Sequence, residues 1–289
     1  MTNRSREKQA WRRANTYCSF WQGPRLSPLA WACYASFVSN GETIALYSYT
    51  DLDVPSGVKL RDARKILPEE ELFQAHGSYA AFSDFFRHTL LLRRGGWWVD
   101  ADVVSLRKRE ESSESSLYAW QDHRLVNCGQ IRLKKGSEIA AKALAELGRL
   151  DKRTMSWADP GPVMFTRVLR ELDILETALG REQFYPLHWL EVYKLLLSHK
   201  AQQVSKLTAS SDFLHGWGSR FNDFGFDIWN HRPQAGSFLD SLYSSSLVYQ
   251  HYKLASPDWK GIRETTTDYL SQDWVRKYEK EPMGLDLKW

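Results

Sequence analysis

An α/β fold with a mainly parallel sheet flanked by helices is what this sequence predicts, and three features point to it. The first is a strand, a helix and a second strand in succession within the opening fifty residues. The second is an amphipathic helix, Ser78 to Arg94, that passes through Gly95-Gly96 into the hydrophobic strand Trp97-Trp98-Val99. The third is composition: 289 residues, 43% hydrophobic and carrying a net charge of +4, suit one large domain with a buried core.

Residues 1 to 14 form a basic tail, with Arg4, Arg6, Lys8, Arg12 and Arg13 around Trp11. Such a segment suits a solvated end or a peripheral contact with anionic lipid. Thr16 to Trp21 reads as a strand stopped by Gly23-Pro24. Ser27-Pro28 opens a helix, since proline is tolerated at the first helical position, and Asn40-Gly41 ends it. Thr43 to Tyr49 is the next strand, and the resulting βαβ unit implies a right-handed parallel crossover. The turn-rich loop from Asp51 to Gly57 lies where such sheets bind nucleotides. In the Ser78 to Arg94 helix, Phe82, Phe85, Phe86, Leu90 and Leu92 trace a broad buried stripe. Ser112 to Ser116 is a polar break. Leu117 to Trp120 and Asn127 to Leu133 are expected strands, and Ile139 to Leu147 and Val163 to Leu172 expected helices. Beyond residue 200 or so the signals are mixed, and no repeat or linker divides residues 15 to 289.

Composition removes several function classes. The net charge is too low for a nucleic-acid binder. Cys18, Cys33 and Cys128 lack CxxC spacing, which argues against both a disulfide framework and a zinc site. With no apolar run of membrane-spanning length and no signal-peptide core, the expected location is cytoplasmic, peripheral at the inner membrane face through the basic tail. The 13 tryptophans suit core packing or platforms for flat ligands.

The chemistry concentrates around Asp100-Ala101-Asp102. Residues two apart on a strand share a face, and paired carboxylates can hold a hard divalent cation. A bare D-x-D is equally an exposed acidic turn. Here Trp97-Trp98-Val99 precede the acids and Val103-Val104 follow, and carboxylates among buried-looking residues need a partner. Asp84 and Arg87 share a face of the preceding helix, either as an intrahelical ion pair or as a pair meeting a ligand. Asp159 opens a helix, where the ordinary role is an N-cap.

The run Ala81-Phe82-Ser83-Asp84-Phe85-Phe86-Arg87, then Arg94-Gly95-Gly96-Trp97-Trp98-Val99-Asp100-Ala101-Asp102, resembles the sugar-binding DxD region of family 32 glycosyltransferases, A-x-S-D-x-x-R then G-G-x-Y-x-D-x-D. Asn127-Cys128-Gly129 resembles that family's N-x-G strand. Asp159-Pro160-Gly161-Pro162 with Thr166-Arg167 resembles its T-G-P and T-R helix start. Phe184-Tyr185-Pro186 resembles its F-Y-P segment and Trp229-Asn230 its H-x-W-N segment. The matches extend from about Tyr79 to Gly236 and are most like the capsular-polysaccharide and α1,4-galactosyl or α1,4-GlcNAc transferase branch.

The resemblance implies a GT-A fold, with a nucleotide-binding half at about 15–105 and an acceptor-binding half at about 106–289. It implies a retaining transfer of a hexose or N-acetylhexosamine from a nucleotide sugar, a UDP-sugar, to a glycan or lipid-linked glycan acceptor, with Mn²⁺ or Mg²⁺ as cofactor. Asp84, Arg87 and Asn127 would bind the donor sugar. Phe20, Trp21, Gln22, Tyr49 and Asp100 would lie near the nucleotide, and Asp159 near the acceptor. Asp102 and Asp100 would hold the metal. Where the family has His in H-x-W-N this chain has Asp227, which is thereby the third candidate ligand; His231 is a neighbouring one. Two alternatives stand beside this reading. Asp100-Ala101-Asp102-Val103 also fits the haloacid-dehalogenase-like phosphohydrolase pattern, although there the motif belongs to the first strand. A carbohydrate-binding module would use the tryptophans but leave the acids without a purpose.

Overall fold

The computed structural model describes residues 16–109, 116–151, 154–155 and 159–279. The basic tail at 1–14 lies outside the described residues. The fold is mixed α/β. Its first βαβ unit comprises β1 (Thr16–Phe20), α1 (Pro28–Ser39) and β2 (Thr43–Ser48), followed by the edge strand β3 (Lys59–Asp62). Helix α2 (Ala80–Arg94) leads to β4 (Gly96–Val99) and the short β5 (Val103–Ser105). Strands β6 (Leu117–Trp120) and β7 (Val126–Leu133) precede helices α3 (Glu138–Leu147) and α4 (Met164–Glu171); β8 (Phe213–His215) comes much later.

Six strands form one sheet in the order β3-β2-β1-β4-β7-β6. The first four are parallel; β7 and β6 continue the sheet antiparallel. Strands β5 and β8 make a separate antiparallel pair, which places Val103 opposite His215 and Ser105 opposite Phe213. The mainly parallel expectation thus holds for the half that begins the chain. Neither β3, β5 nor β8 carries a legible alternating pattern, being four, three and three residues long.

Both faces of the sheet are covered, and the two-residue period of the strands divides the core in two. Tyr17, Ile44, Leu46, Trp97 and Val99 point to the side where α1 lies. Cys18, Phe20, Ala45, Tyr47 and Trp98 point to the side of α2, α3 and α4. Ser27 caps α1 by accepting from the Ala30 amide at 3.1 Å, with Pro28 in the first turn, as the sequence leads one to expect. Gly95 ends α2 with φ +69°, and a Cβ there would strike the backbone of Lys135. Only glycine lets α2 turn into β4 at that point, and this turn delivers the acids to the sheet's edge.

His88 is fully buried and stacked on Phe165, with ring centroids 5.9 Å apart. Neither ring nitrogen has a hydrogen-bond partner among the described residues. Burial, and then the Arg87 charge, lower its pKa to about 3. The unfolded chain therefore binds a proton at His88 between pH 6.5 and 3 that the folded chain refuses, so this group lowers stability as pH falls through that window. Urea unfolding of His88→Phe is expected to show stability falling less steeply between pH 6 and pH 4, by up to about 1.4 kcal/mol per pH unit. An unchanged slope would mean that His88 is not a titrating element of the fold.

Candidate active site

The chain runs from β1 outward to β2 and β3, then returns to the other side of β1 as β4. The boundary between β1 and β4 is therefore the topological switch point, and loops leaving the carboxyl ends of the two strands part there to open a crevice. Trp21 and Gln22 leave β1 at this edge, and Asp100 leaves β4. Trp21 Nε1 donates to the Arg25 carbonyl at 3.0 Å, and its ring lies 6.3 Å from that of Trp229. Gln22 keeps its Oε1 buried without a hydrogen-bond partner among the described residues.

Arg87 anchors the acidic side. Its guanidinium is buried between α2 and the sheet and lies 5.2 Å from the Trp98 ring centre. Nη1 donates to Asp84 Oδ1 at 2.5 Å and meets Cys128 Sγ at 2.7 Å, while Nη2 donates to Asp100 Oδ1 at 2.6 Å. Trp98 Nε1 donates to that same Asp100 oxygen at 2.7 Å, as two residues on one face of β4 can. Burial works against the charge on Asp100, but Arg87, His215 and Trp98 together outweigh it and hold the carboxyl below its usual range. For Asp84 the balance reverses: burial pushes its pKa to about 7 despite Arg87. Removing the guanidinium would leave two carboxylates uncompensated, at a cost of about 3–5 kcal/mol.

Asp102 is held by a tight turn that follows β8. The Gly216 amide donates to the Asp102 carbonyl at 2.7 Å, and the Gly218 amide to Asp102 Oδ2 at 2.7 Å. His215 enters beside it because β8 pairs antiparallel with β5, the strand that begins directly after Asp102. The Trp217 amide donates to His215 Nδ1 at 3.1 Å, so Nε2 is the nitrogen turned toward the acids, 3.9 Å from Asp100 Oδ2 and 3.7 Å from Asp102 Oδ1. Burial disfavours the imidazolium, yet the charges of Asp102 and Asp100 prevail and raise the His215 pKa. Trp217 occupies the left-handed region at φ +49°, which costs a bulky residue about 1–3 kcal/mol and survives only where the surroundings impose it.

Asp100, Asp102 and His215 thus present one donor atom each, all within 4.8 Å of one another. Two carboxylate oxygens suit a divalent ion such as Mn²⁺; His215 Nε2 joins them only when the ring proton sits on Nδ1, which requires the Trp217 amide to release that atom. The floor beneath them is Gly129: a Cβ there would lie 2.9 Å from both Asp100 Oδ2 and His215 Nε2. The gap is a cradle that any side chain would fill, and the residues fit a bound cation.

The other residues singled out in the sequence fall in different places. Phe20 and Tyr49 are core residues, packed with Phe82, and the Tyr49 hydroxyl donates to the Leu67 carbonyl at 3.0 Å. Asn127 is buried beside the site, its Oδ1 accepting from the Gly129 amide and its Nδ2 donating to Gln121 Oε1, both at 2.7 Å. It shapes the strand that carries Gly129. Asp159 opens the turn Asp159–Val163, which reaches Asp84 through Gly161, where a Cβ would lie 4.0 Å from Asp84 Oδ2.

Asp227 is not part of the three-donor group, a correction to the sequence-based shell. Its oxygens fold back on its own loop, accepting from the Trp229 amide at 2.8 Å and Asn230 Nδ2 at 2.7 Å. His231 belongs to that same loop, with Nδ1 accepting from the Asp227 amide at 3.1 Å. The residue that the sequence reading missed is His215. A histidine two positions before a tryptophan stands at His215-Gly216-Trp217, upstream of Trp229-Asn230, and that spacing is the signal the sequence carries.

No protein-family model matches the sequence, and no curated protein matches it. Among solved structures the chain is similar to one titled PaToxG glycosyltransferase, at 14% identity and a TM-score of 0.44, covering 71% of this chain and 93% of that one. It is also similar to a transferase mutant with two cysteine-to-serine substitutions, at 11% identity and a TM-score of 0.35, covering 56% and 86%.

Gly129 has no left-handed φ, so alanine suits its backbone, and only the cradle is at stake. Gly129→Ala is expected to keep a wild-type circular dichroism spectrum while its Mn²⁺ affinity, read by calorimetric titration, drops at least tenfold, the scale of lost ligand support. Unaltered affinity would show that the cation does not sit above this glycine.

Proposed function

We propose that the chain is a metal-dependent glycosyltransferase of the GT-A type that draws on a nucleotide sugar, in keeping with the resemblance of its DxD region. The observation that carries this reading is the meeting of Asp100, Asp102 and His215 at the switch point of the sheet, within 4.8 Å, beside the buried Asp84–Arg87 pair. A divalent cation, Mn²⁺ or Mg²⁺, bound by these residues would neutralise charge on a departing diphosphate. Asp84 keeps Oδ2 on the side of Gly161, where it can accept from a sugar hydroxyl, and Arg87 fixes its orientation. Trp21, partly exposed beyond β1, offers a flat face to the nucleobase of a UDP-sugar. Retention of the anomeric configuration and a glycan or lipid-linked glycan acceptor belong to the same reading. Among the described residues no helix is long and apolar enough to cross a membrane.

The phosphohydrolase alternative requires Asp100 as an unencumbered nucleophile. Its Oδ1 accepts from both Arg87 and Trp98, and its Oδ2 faces His215, an arrangement that favours holding over attack.

UDP-hexoses and UDP-N-acetylhexosamines, incubated with the protein and Mn²⁺, should release UDP slowly, and EDTA should stop the release. Asp102→Asn is expected to lower that rate on the order of 100-fold, the usual scale for losing one electrostatic partner of developing charge. Full activity in the variant, or turnover of a simple phosphomonoester in place of the nucleotide sugar, would sink the proposal.

A further inference from the structure

We propose that the surface around the last turn of α2 is a docking face for an anionic lipid bilayer, built by Lys59, Arg61, Arg93, Arg94, Lys134 and Lys135. It does not depend on the transferase reading, because neither a metal ion nor a nucleotide takes part.

Three parts of the fold bring these cations together. Arg93 and Arg94 end α2, where Arg93 donates to the Ile66 carbonyl just past β3 and Arg94 Nη1 donates to Tyr47 Oη at 2.7 Å. In the sheet Arg61 lies opposite Tyr47 and Lys59 opposite Ala45, and residues in register share a face. Edge strand β3 thereby directs both cations to the side of α2. The loop after β7 completes the group: the Gly136 amide donates to the Leu92 carbonyl at 2.9 Å, which sets Lys134 and Lys135 against the same helix turn.

Five of the six are exposed, and Arg94 is half-buried. None of them forms an ion pair with a carboxylate among the described residues. Cations of the nearby helices do: Lys142 pairs with Glu171, and Arg149 and Arg167 with Glu146. Of the acids next to the group in sequence, Asp62 is engaged by Arg64, and Glu138 stands in the first turn of α3, where the helix dipole favours a carboxylate. That same dipole suits Arg93 and Arg94 at the end of α2. It does not account for Lys59, Arg61, Lys134 and Lys135, which lie outside the helix. Like charges gathered in this way repel one another, and an external anionic surface relieves the repulsion.

What the face lacks selects the partner. A protein interface needs a desolvated apolar or aromatic centre. The large exposed hydrophobic residues among those described are Val163, Leu207, Leu247 and Trp274, none of them on these elements. Single-stranded nucleic acid needs stacking platforms, which the same residues would have to supply. Anionic headgroups need only charge, each Lys or Arg near the leaflet adding to the attraction. Strand pairing adds a further observation. Tyr17 lies beside Trp97 and Gly96 beside Leu133, so β1 begins at this end of the sheet, and the residues preceding it in the sequence are the basic ones around Trp11. Along α2, Asp84 stands ten positions from Arg94, up to about 15 Å further from the lipid. The crevice is thus turned away from the bilayer.

The test sediments the full chain with vesicles of phosphatidylcholine, alone or mixed with phosphatidylserine, at low and at raised salt. Binding is expected only with phosphatidylserine and should weaken as salt rises. The double variants Lys59→Gln/Arg61→Gln and Lys134→Gln/Lys135→Gln should each bind about 10–30-fold more weakly while melting as wild type does. Lys260→Gln/Arg263→Gln removes the same charge from the helix Trp259–Ser271, which packs against the residues after Gly218, and should stay within about twofold. Glutamine at Arg4, Arg6, Lys8, Arg12 and Arg13 measures the preceding segment separately. If that variant loses all binding while both face variants bind like wild type, the folded face is not the docking surface. Equal binding to vesicles of phosphatidylcholine alone would overturn the proposal too. Stronger retention on poly-glutamate than on the anionic vesicles, at matched charge, would assign the face to an acidic protein instead.

Discussion

A single buried guanidinium organises the acidic edge of this protein. Arg87 sits between α2 and β4, over the face of Trp98, and its two terminal nitrogens reach one carboxylate on each element. Buried carboxylates repel one another and lose the stabilisation of water, so Asp84 and Asp100 can share this site only with a cation lodged between them. Arg87, with His215 and Trp98, keeps Asp100 below its usual range, while burial raises Asp84 to about 7. The remaining charge, on Asp102 and the free oxygen of Asp100, is turned toward His215. The sheet, the helix and the turn after β8 are consequently parts of one electrostatic arrangement, in which Asp100 and Asp102 each have one oxygen held by a protein donor and the other facing His215.

What could be read in the sequence was what lies close along it. Asp84 and Arg87, three positions apart on a helix, and Asp100 and Asp102, two apart after a strand, are neighbours by the geometry of regular structure alone. The same holds for the βαβ opening and the glycine stop before β4, where periodicity and backbone chemistry are local. His215 was not legible in this way. Its approach to Asp102 depends on the pairing of β5 with β8, two three-residue strands far apart in the chain and too short to show a pattern. Trp229, preceded by an acid at 227, belongs instead to a loop whose carboxylate satisfies its own backbone. Phe20 and Tyr49 show a related limit: proximity to a strand's end in sequence does not say which face a side chain takes, and both pack in the core.

Glycine contributes to the site by absence of bulk rather than by flexibility. Gly129 has ordinary strand geometry, and what matters is that no atom stands above its Cα between Asp100 and His215. Asn127 keeps that strand in shape by accepting from the Gly129 amide, so it contributes to the floor beneath the acids. The strained turn at Trp217 closes the opposite wall. A rigid floor and a rigid wall, both built from backbone, leave little for side-chain motion to adjust, and this is the condition under which carboxylate and imidazole donors hold a fixed spacing.

The β5–β8 pair also has a temporal consequence. Asp102 and Gly218, joined by a 2.7 Å bond, stand 116 positions apart, so the centre closes one of the longest loops in the chain. Contacts of such separation form late, after the local βαβ unit and its helices can already have gathered. During synthesis the carboxylates of the first half emerge well before the turn that restrains them. A nascent chain therefore carries its acidic pair without its histidine for the time it takes to make the intervening segment, and the three side chains meet only when β8 docks.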